Sequence, residues 1–164
     1  MNEESLVALR KYNRNIELSG GAMILFSIWA ELKILLPALV GQQKIEEIIG
    51  ITGEEVVGSS VVGVAVTIFV FGYILIFHFR LGREAIKYGR GIRQKKRFLV
   101  RAFILLIINI ISVPFYFFGE YYLADIDTLI ASLLVDITNI SILLDMIIST
   151  FKADKIRKSI QAEK

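Results

Sequence analysis

The chain has 164 residues, of which 55% are hydrophobic, with a formal net charge of +3 and a mean hydropathy of +0.62. The apolar residues fall in blocks rather than in the amphipathic patterns of a soluble domain, so the composition points to one membrane domain covering 1–164. The absence of cysteine excludes disulfides, thiolate metal sites and a cysteine nucleophile.

Residues 1–15 have the pattern of a short amphipathic helix, with Leu6, Leu9 and Tyr12 on one side and Arg10, Lys11 and Arg14 among the rest. The first apolar block starts near Ile16 and contains Glu31 and Lys33, unlike the uncharged core of a cleavable signal peptide, so none is expected. Crossing the hydrocarbon core takes about 20 mostly apolar residues in a helix. Four stretches qualify: 18–40, 56–79, 98–118 and 128–151. The third, FLVRAFILLIINIISVPFYFF, has no polar face to offer water, which argues against a soluble bundle. The expected fold is all-α, an integral membrane four-helix bundle.

Small residues mark places for close helix approach: Gly20 and Gly21 open the first span, and Ser59, Gly63 and Thr67 recur every fourth residue in the second. Thr52-Gly53-Glu54-Glu55 has the form of a capping box ahead of the second helix. That helix is expected to run past the membrane surface, with Gly82, Gly89 and Gly91 loosening the segment that follows. Pro37 and Pro114 fall near outer helix ends, where mild bends are expected. Tyr116, Tyr121 and Tyr122 suit an outer aromatic belt, and Asp125 or Asp127 suits the cap of the fourth helix. The tail from Lys152 continues that helix.

Charge sets the orientation. Arg10, Lys11 and Arg14 precede the first span, the 80–97 segment is densely basic, and Lys152, Lys155, Arg157 and Lys158 follow the last span. The other two connections carry Glu46, Glu47, Glu54 and Glu55, and Glu120, Asp125 and Asp127, with Lys44 the one basic residue. Basic flanks stay on the cytoplasmic side, so both termini and the 80–97 loop are assigned to the cytoplasm. The Ile-rich, Cys-free spans fit a bacterial plasma membrane. Arg83, Lys87, Arg90, Arg93, Lys95, Lys96 and Arg97 are then expected to contact anionic lipid headgroups. The loop shows no nucleic-acid-binding fold, and no nucleic-acid partner is expected.

Ionisable groups within a span need a partner or a purpose. Glu31 and Lys33 lie about 200° apart around their helix and cannot pair with each other. The fourth span carries two polar stripes, Ser132, Asp136 and Asn139 on one side, and Thr138, Ser141, Asp145 and Ser149 on the other. Two stripes imply protein on two sides, within the bundle or from a second protomer. Matching depths at about 1.5 Å per residue predicts two ion pairs, Lys33 with Asp136 and Arg101 with Asp145. Glu31 is left without a cationic partner, and Asn109 is expected to bond across helices. The intramembrane candidates are therefore Glu31, Lys33, Arg101, Asn109, Asp136, Asn139 and Asp145.

With one histidine and no cysteine there is no metal cluster, and no nucleotide loop or nucleophile elbow is present, so neither cofactor nor metal is expected. Four spans with a glutamate in the first are similar in outline to small multidrug transporters. The longer chain, the basic central loop and the charged last helix depart from that outline, and no residue role carries over. The leading reading is a non-enzymatic membrane subunit or scaffold, homo-oligomeric or bound to a partner subunit, that uses intramembrane polar contacts for assembly. The alternative is a small homo-oligomeric transporter or channel for protons, cations or small amphiphiles, with Glu31 and Asp136 as binding groups. A lipid enzyme would have only His78 and Arg80 as reactive groups, and ranks last.

Overall fold

The computed structural model describes residues 3–39, 57–92, 95–118 and 126–162, with side chains for all of these except 30–39, 57–64, 66–68, 70, 115–118, 126–129 and 131–132. The described residues form four helices and no strand: α1 (Glu3–Leu39), α2 (Val57–Gly89), α3 (Arg97–Phe118) and α4 (Ile126–Ala162). At 1.5 Å per residue α3 is about 33 Å long, the thickness of a hydrocarbon core, whereas α1, α2 and α4 reach about 50–55 Å. The surplus lies where charge is dense, before Leu18, after Phe79 and after Phe151.

Residues 3–15 do not form a separate amphipathic helix, because they are the opening turns of the continuous α1. Leu6, Leu9 and Tyr12 are half-buried there, and Arg10, Lys11 and Arg14 are exposed. As expected, α2 passes beyond position 79 and α4 continues into the tail. α1 extends through Pro37, and α3 continues through Pro114 to Phe118. The capping box at 52–55, Asp125, Tyr121 and Tyr122 lie outside the described residues, as do the side chains of Tyr116 and Asp127.

The chain divides into two compact units. Unit 2 (Ile24–Arg80) contains the second part of α1 and most of α2. Within it, Ser27 is buried and its hydroxyl donates to the Ile24 carbonyl at 2.7 Å. Tyr73 and Phe77, one turn apart, place their rings 6.3 Å from each other.

Unit 1 (Met1–Met23 and Leu81–Lys164) contains every buried apolar side chain among the described residues. Ile16 and Met23 of α1, Leu81, Ala85 and Tyr88 of α2, Phe98, Ala102 and Leu105 of α3, and Leu143, Met146 and Ala153 of α4 form its core. Tyr88 and Phe98 stack tilted at 5.3 Å between ring centroids. Further along, α3 and α4 pack side by side while their other faces stay open.

Gly82 and Gly89 of α2 pack against α1 rather than loosen the chain. A Cβ on Gly20 would lie 2.8 Å from the Gly82 carbonyl oxygen and 3.1 Å from Ala85 Cβ, and one on Gly89 would lie 2.6 Å from the Asn13 carbonyl oxygen. α1 and the end of α2 therefore meet backbone to backbone. Gly91 alone among these glycines makes a turn, at φ +75. Gly91 N–H donates to Tyr88 O and Ile92 N–H to Lys87 O, the paired bonds of a Schellman stop that ends α2.

Because the obstacle at Gly89 is backbone, Gly89→Ala is expected to destabilise the detergent-solubilised protein by about 1–3 kcal/mol. Gly72→Ala, with open space around it, should be neutral or slightly stabilising. Equilibrium unfolding in mixed micelles compares the two.

Candidate functional site

The polar residues of unit 1 form three levels along the helices. At the first, beyond the ends of the predicted spans, α1, α2 and α4 are cross-linked by charge. Arg90 donates through Nε to Glu17 Oε1 at 2.7 Å, and its Nη2 lies at the same distance from that oxygen. Arg157 Nη2 donates to Asn13 Oδ1 at 2.8 Å, and its guanidinium sits 4.6 Å from the centre of the Tyr88 ring. Lys152 lies 5.5 Å from the centre of the Tyr12 ring. Lys96 pairs with Asp154, which Lys158 also approaches at 3.7 Å.

Burial pushes the Tyr88 hydroxyl above its ordinary value, against the pull of Arg157 and Lys96, and its oxygen is buried without a hydrogen bond. The Lys96 hydrogen bond holds the Asp154 carboxyl below the usual aspartate value. Of the seven cations expected to contact lipid headgroups, Arg90 and Lys96 also form ion pairs within the chain, with the Arg90 side chain 58% exposed. Arg83, Lys95 and Arg97 are exposed, Lys87 is half-buried, and Arg93 lies outside the described residues.

The second level lies at the ends of the predicted spans nearer the basic segments. Arg101 does not pair with Asp145. Its Nη1 lies 2.8 Å from Glu84 Oε2, with the two side chains 29% and 21% exposed. The reason is the length of α2: by continuing to Gly89 it carries Glu84 alongside the first turns of α3. The sequence conceals Glu84 because the 80–97 segment reads as basic overall, with Glu84 its single acidic residue. Asp145 instead accepts the Ser19 hydroxyl on Oδ2 at 3.0 Å and the Ser149 hydroxyl on Oδ1 at 3.4 Å. No cationic side chain meets it among the described residues.

The third level lies within the predicted spans. Asn139 Nδ2 donates to Asn109 Oδ1 at 3.0 Å, the cross-helix bond expected of Asn109. Asn109 Nδ2 donates to its own Leu105 carbonyl at 2.8 Å, and Asn139 Oδ1 is buried without a hydrogen bond. Asp136 is half-buried on the same side of α4 as Asn139. Thr138 and Ser141 are exposed and donate to the carbonyls of Leu134 and Ile137, one turn back, at 2.7 and 2.8 Å. The side chains of Glu31, Lys33, Ser59, Thr67 and Ser132 and the surroundings of Gly63 lie outside what is described, and with them the Lys33–Asp136 pair. In unit 2, His78 Nδ1–H donates to the Ile74 carbonyl at 2.8 Å, a bond within its own helix.

In comparisons with protein families, with curated proteins and with solved structures, the chain matches none.

Removing either member of this part-buried ion pair removes a charge contact between α2 and α3. Glu84→Gln and Arg101→Gln are each expected to cost about 1–3 kcal/mol, and the double variant is expected to recover part of that loss in a double-mutant cycle. Asp154 gives a pH signature. With its folded pKa depressed, its contribution is complete above about pH 4 and is lost as pH falls through the lower folded value. Asp154→Asn should remove that part of the acid dependence in thermal unfolding scans.

Proposed function

We propose that this chain is a small multi-pass membrane protein, with four spans and both termini in the cytoplasm, that acts as a non-enzymatic subunit or scaffold. The observation that carries the membrane part is the outer surface of α3 and α4. Among the described residues, two helices are long and apolar enough to cross a membrane, in the stretches Arg97–Pro114 and Leu133–Ala162, and in each only 28% of the best window is buried. A soluble core helix would bury most of that surface. Here Phe103, Ile107, Ile108, Ile111, Leu134 and Ile148 are each exposed. Exposed apolar side chains at this density suit lipid chains.

The scaffold part is supported by how the polar groups are used. Asn109 with Asn139, Glu84 with Arg101, and Ser19 with Asp145 each join two helices. Contacts of this kind stabilise membrane bundles by about 0.6 kcal/mol each on average, and they fix helix register. The exposed Arg83, Lys95 and Arg97 then face anionic headgroups of a plasma membrane, with a second copy or a partner subunit completing the assembly.

A second reading, a homo-oligomeric transporter or channel, is favoured by Asp145. Its carboxylate is held by two hydroxyls and meets no cationic side chain among the described residues, an arrangement that a proton or monovalent cation could complete. Proton or cation flux in proteoliposomes that Asp145→Asn abolishes would favour this reading over the scaffold.

The cysteine-free sequence makes topology directly testable. In intact cells a membrane-impermeant maleimide should label Gln42→Cys, and should label Lys95→Cys and Gln161→Cys only after permeabilisation. Labelling of all three in intact cells, or of Gln42→Cys only after permeabilisation, contradicts the proposed orientation.

A further inference from the structure

The geometry points to a binding cleft for the phosphate of an anionic lipid headgroup on the cytoplasmic part of α1. The cleft has a volume of about 520 Å³ and is lined by Arg10, Asn13, Arg14, Glu17 and Leu18 of α1 and by Gly89 of α2. The α1 residues are spaced 3, 4, 7 and 8 positions from the first, which places them on one face of the helix.

The cleft is a set of donors. Arg10 and Arg14 are exposed, one turn apart, and neither has an ion pair among the described residues. Glu17 would oppose an anion, but its Oε1 is held by both Nε and Nη2 of Arg90, which offsets its charge. Asn13 has its oxygen occupied by Arg157, so what it retains for a ligand is its amide N–H groups. Two guanidinium forks and an amide donor match the oxygens of a phosphate better than those of a neutral group. Gly89, with no side chain, keeps the α2 wall low against Asn13 and Glu17.

The lip of the cleft favours a lipid as the source of the phosphate. Leu18, 60% exposed, stands one turn beyond Arg14 and opens the first predicted span. A phosphate held by Arg10 and Arg14 would direct its glycerol and acyl chains past Leu18 toward the bilayer. This assignment rests on the proposed membrane placement of α1. It is distinct from the diffuse attraction of Arg83, Lys95 and Arg97, because here the cations share one concave surface with a donor of fixed orientation.

The test uses full-length protein in a neutral detergent, with thermal stability followed while dioleoyl phosphatidylglycerol, dioleoyl phosphatidylcholine or inorganic phosphate is added. Wild type is compared with R10Q/R14Q and with K11Q/K155Q, which removes equal charge outside the cleft. Phosphatidylglycerol is expected to raise the midpoint of wild type and K11Q/K155Q, and R10Q/R14Q should need roughly tenfold more of it. Unchanged helicity and an unchanged response to phosphatidylcholine identify R10Q/R14Q as folded. An equal loss in both double variants overturns the cleft in favour of diffuse electrostatics. A full response to inorganic phosphate overturns the lipid assignment. A protein that remains in solution after ultracentrifugation without detergent overturns the membrane reading itself, whereas a detergent-dependent protein with no selectivity overturns the cleft alone.

Discussion

The rest of unit 1 depends on how closely α1 approaches the end of α2. Where Gly20 faces the Gly82 carbonyl and Gly89 faces the Asn13 carbonyl, there is no room for a side chain. Association at this contact rests on close packing and on the polar contacts that close packing brings within reach. A gap of about 0.5–1 Å already forfeits a quarter to a half of the dispersion attraction, so the approach has to be close. Once α1 is seated on α2, Ser19 can reach Asp145, Glu17 can reach Arg90 and Asn13 can reach Arg157. Tyr88 then sits between the Phe98 ring and the Arg157 guanidinium, tying α2 to both α3 and α4.

The charges follow from that packing, and they change what the two stripes on α4 require. A helix with two polar stripes would need protein on two sides if every group sought an external partner. Thr138 and Ser141 do not, because each hydroxyl bonds its own helix one turn back. Within the two stripes, the described groups that reach other helices are Asn139, toward α3, and Asp145, toward α1. The stripes are therefore compatible with a single copy, and a second protomer is a matter for the apolar surface and not for these hydroxyls. The proposed scaffold and transporter roles divide on Asp145, a carboxylate held by hydroxyls alone among the described residues.

Much of the helical layout was legible in the sequence because the apolar blocks are long and their charged flanks agree. The extension of α2 and α4 beyond the apolar blocks was legible for the same reason, and so was a cross-helix role for Asn109, a lone amide in an apolar stretch. Three features were not. Gly82 and Gly89 read as loop residues, since a glycine packed against a backbone and a glycine in a turn look alike until the neighbouring helix is placed. Glu84 is hidden by the net charge of its segment, which leaves Asp145 as the apparent partner of Arg101 in the sequence. The continuity of α1 was hidden because its first turns are amphipathic and its later turns are apolar, so one helix carries two patterns.

The most direct test of the α1–α2 seat compares two adjacent glycines. A Cβ on Gly20 would press on the Gly82 carbonyl, whereas one on Gly21 meets nothing within 4 Å. Unfolding of Gly20→Ala and Gly21→Ala should be measured in the same mixed micelles. The account predicts that Gly20→Ala loses about 1–3 kcal/mol and that Gly21→Ala is unchanged or gains up to about 1 kcal/mol from helix propensity. Equal effects at the two positions, or a stabilised Gly20→Ala, would contradict the close approach on which the rest of the structure is built.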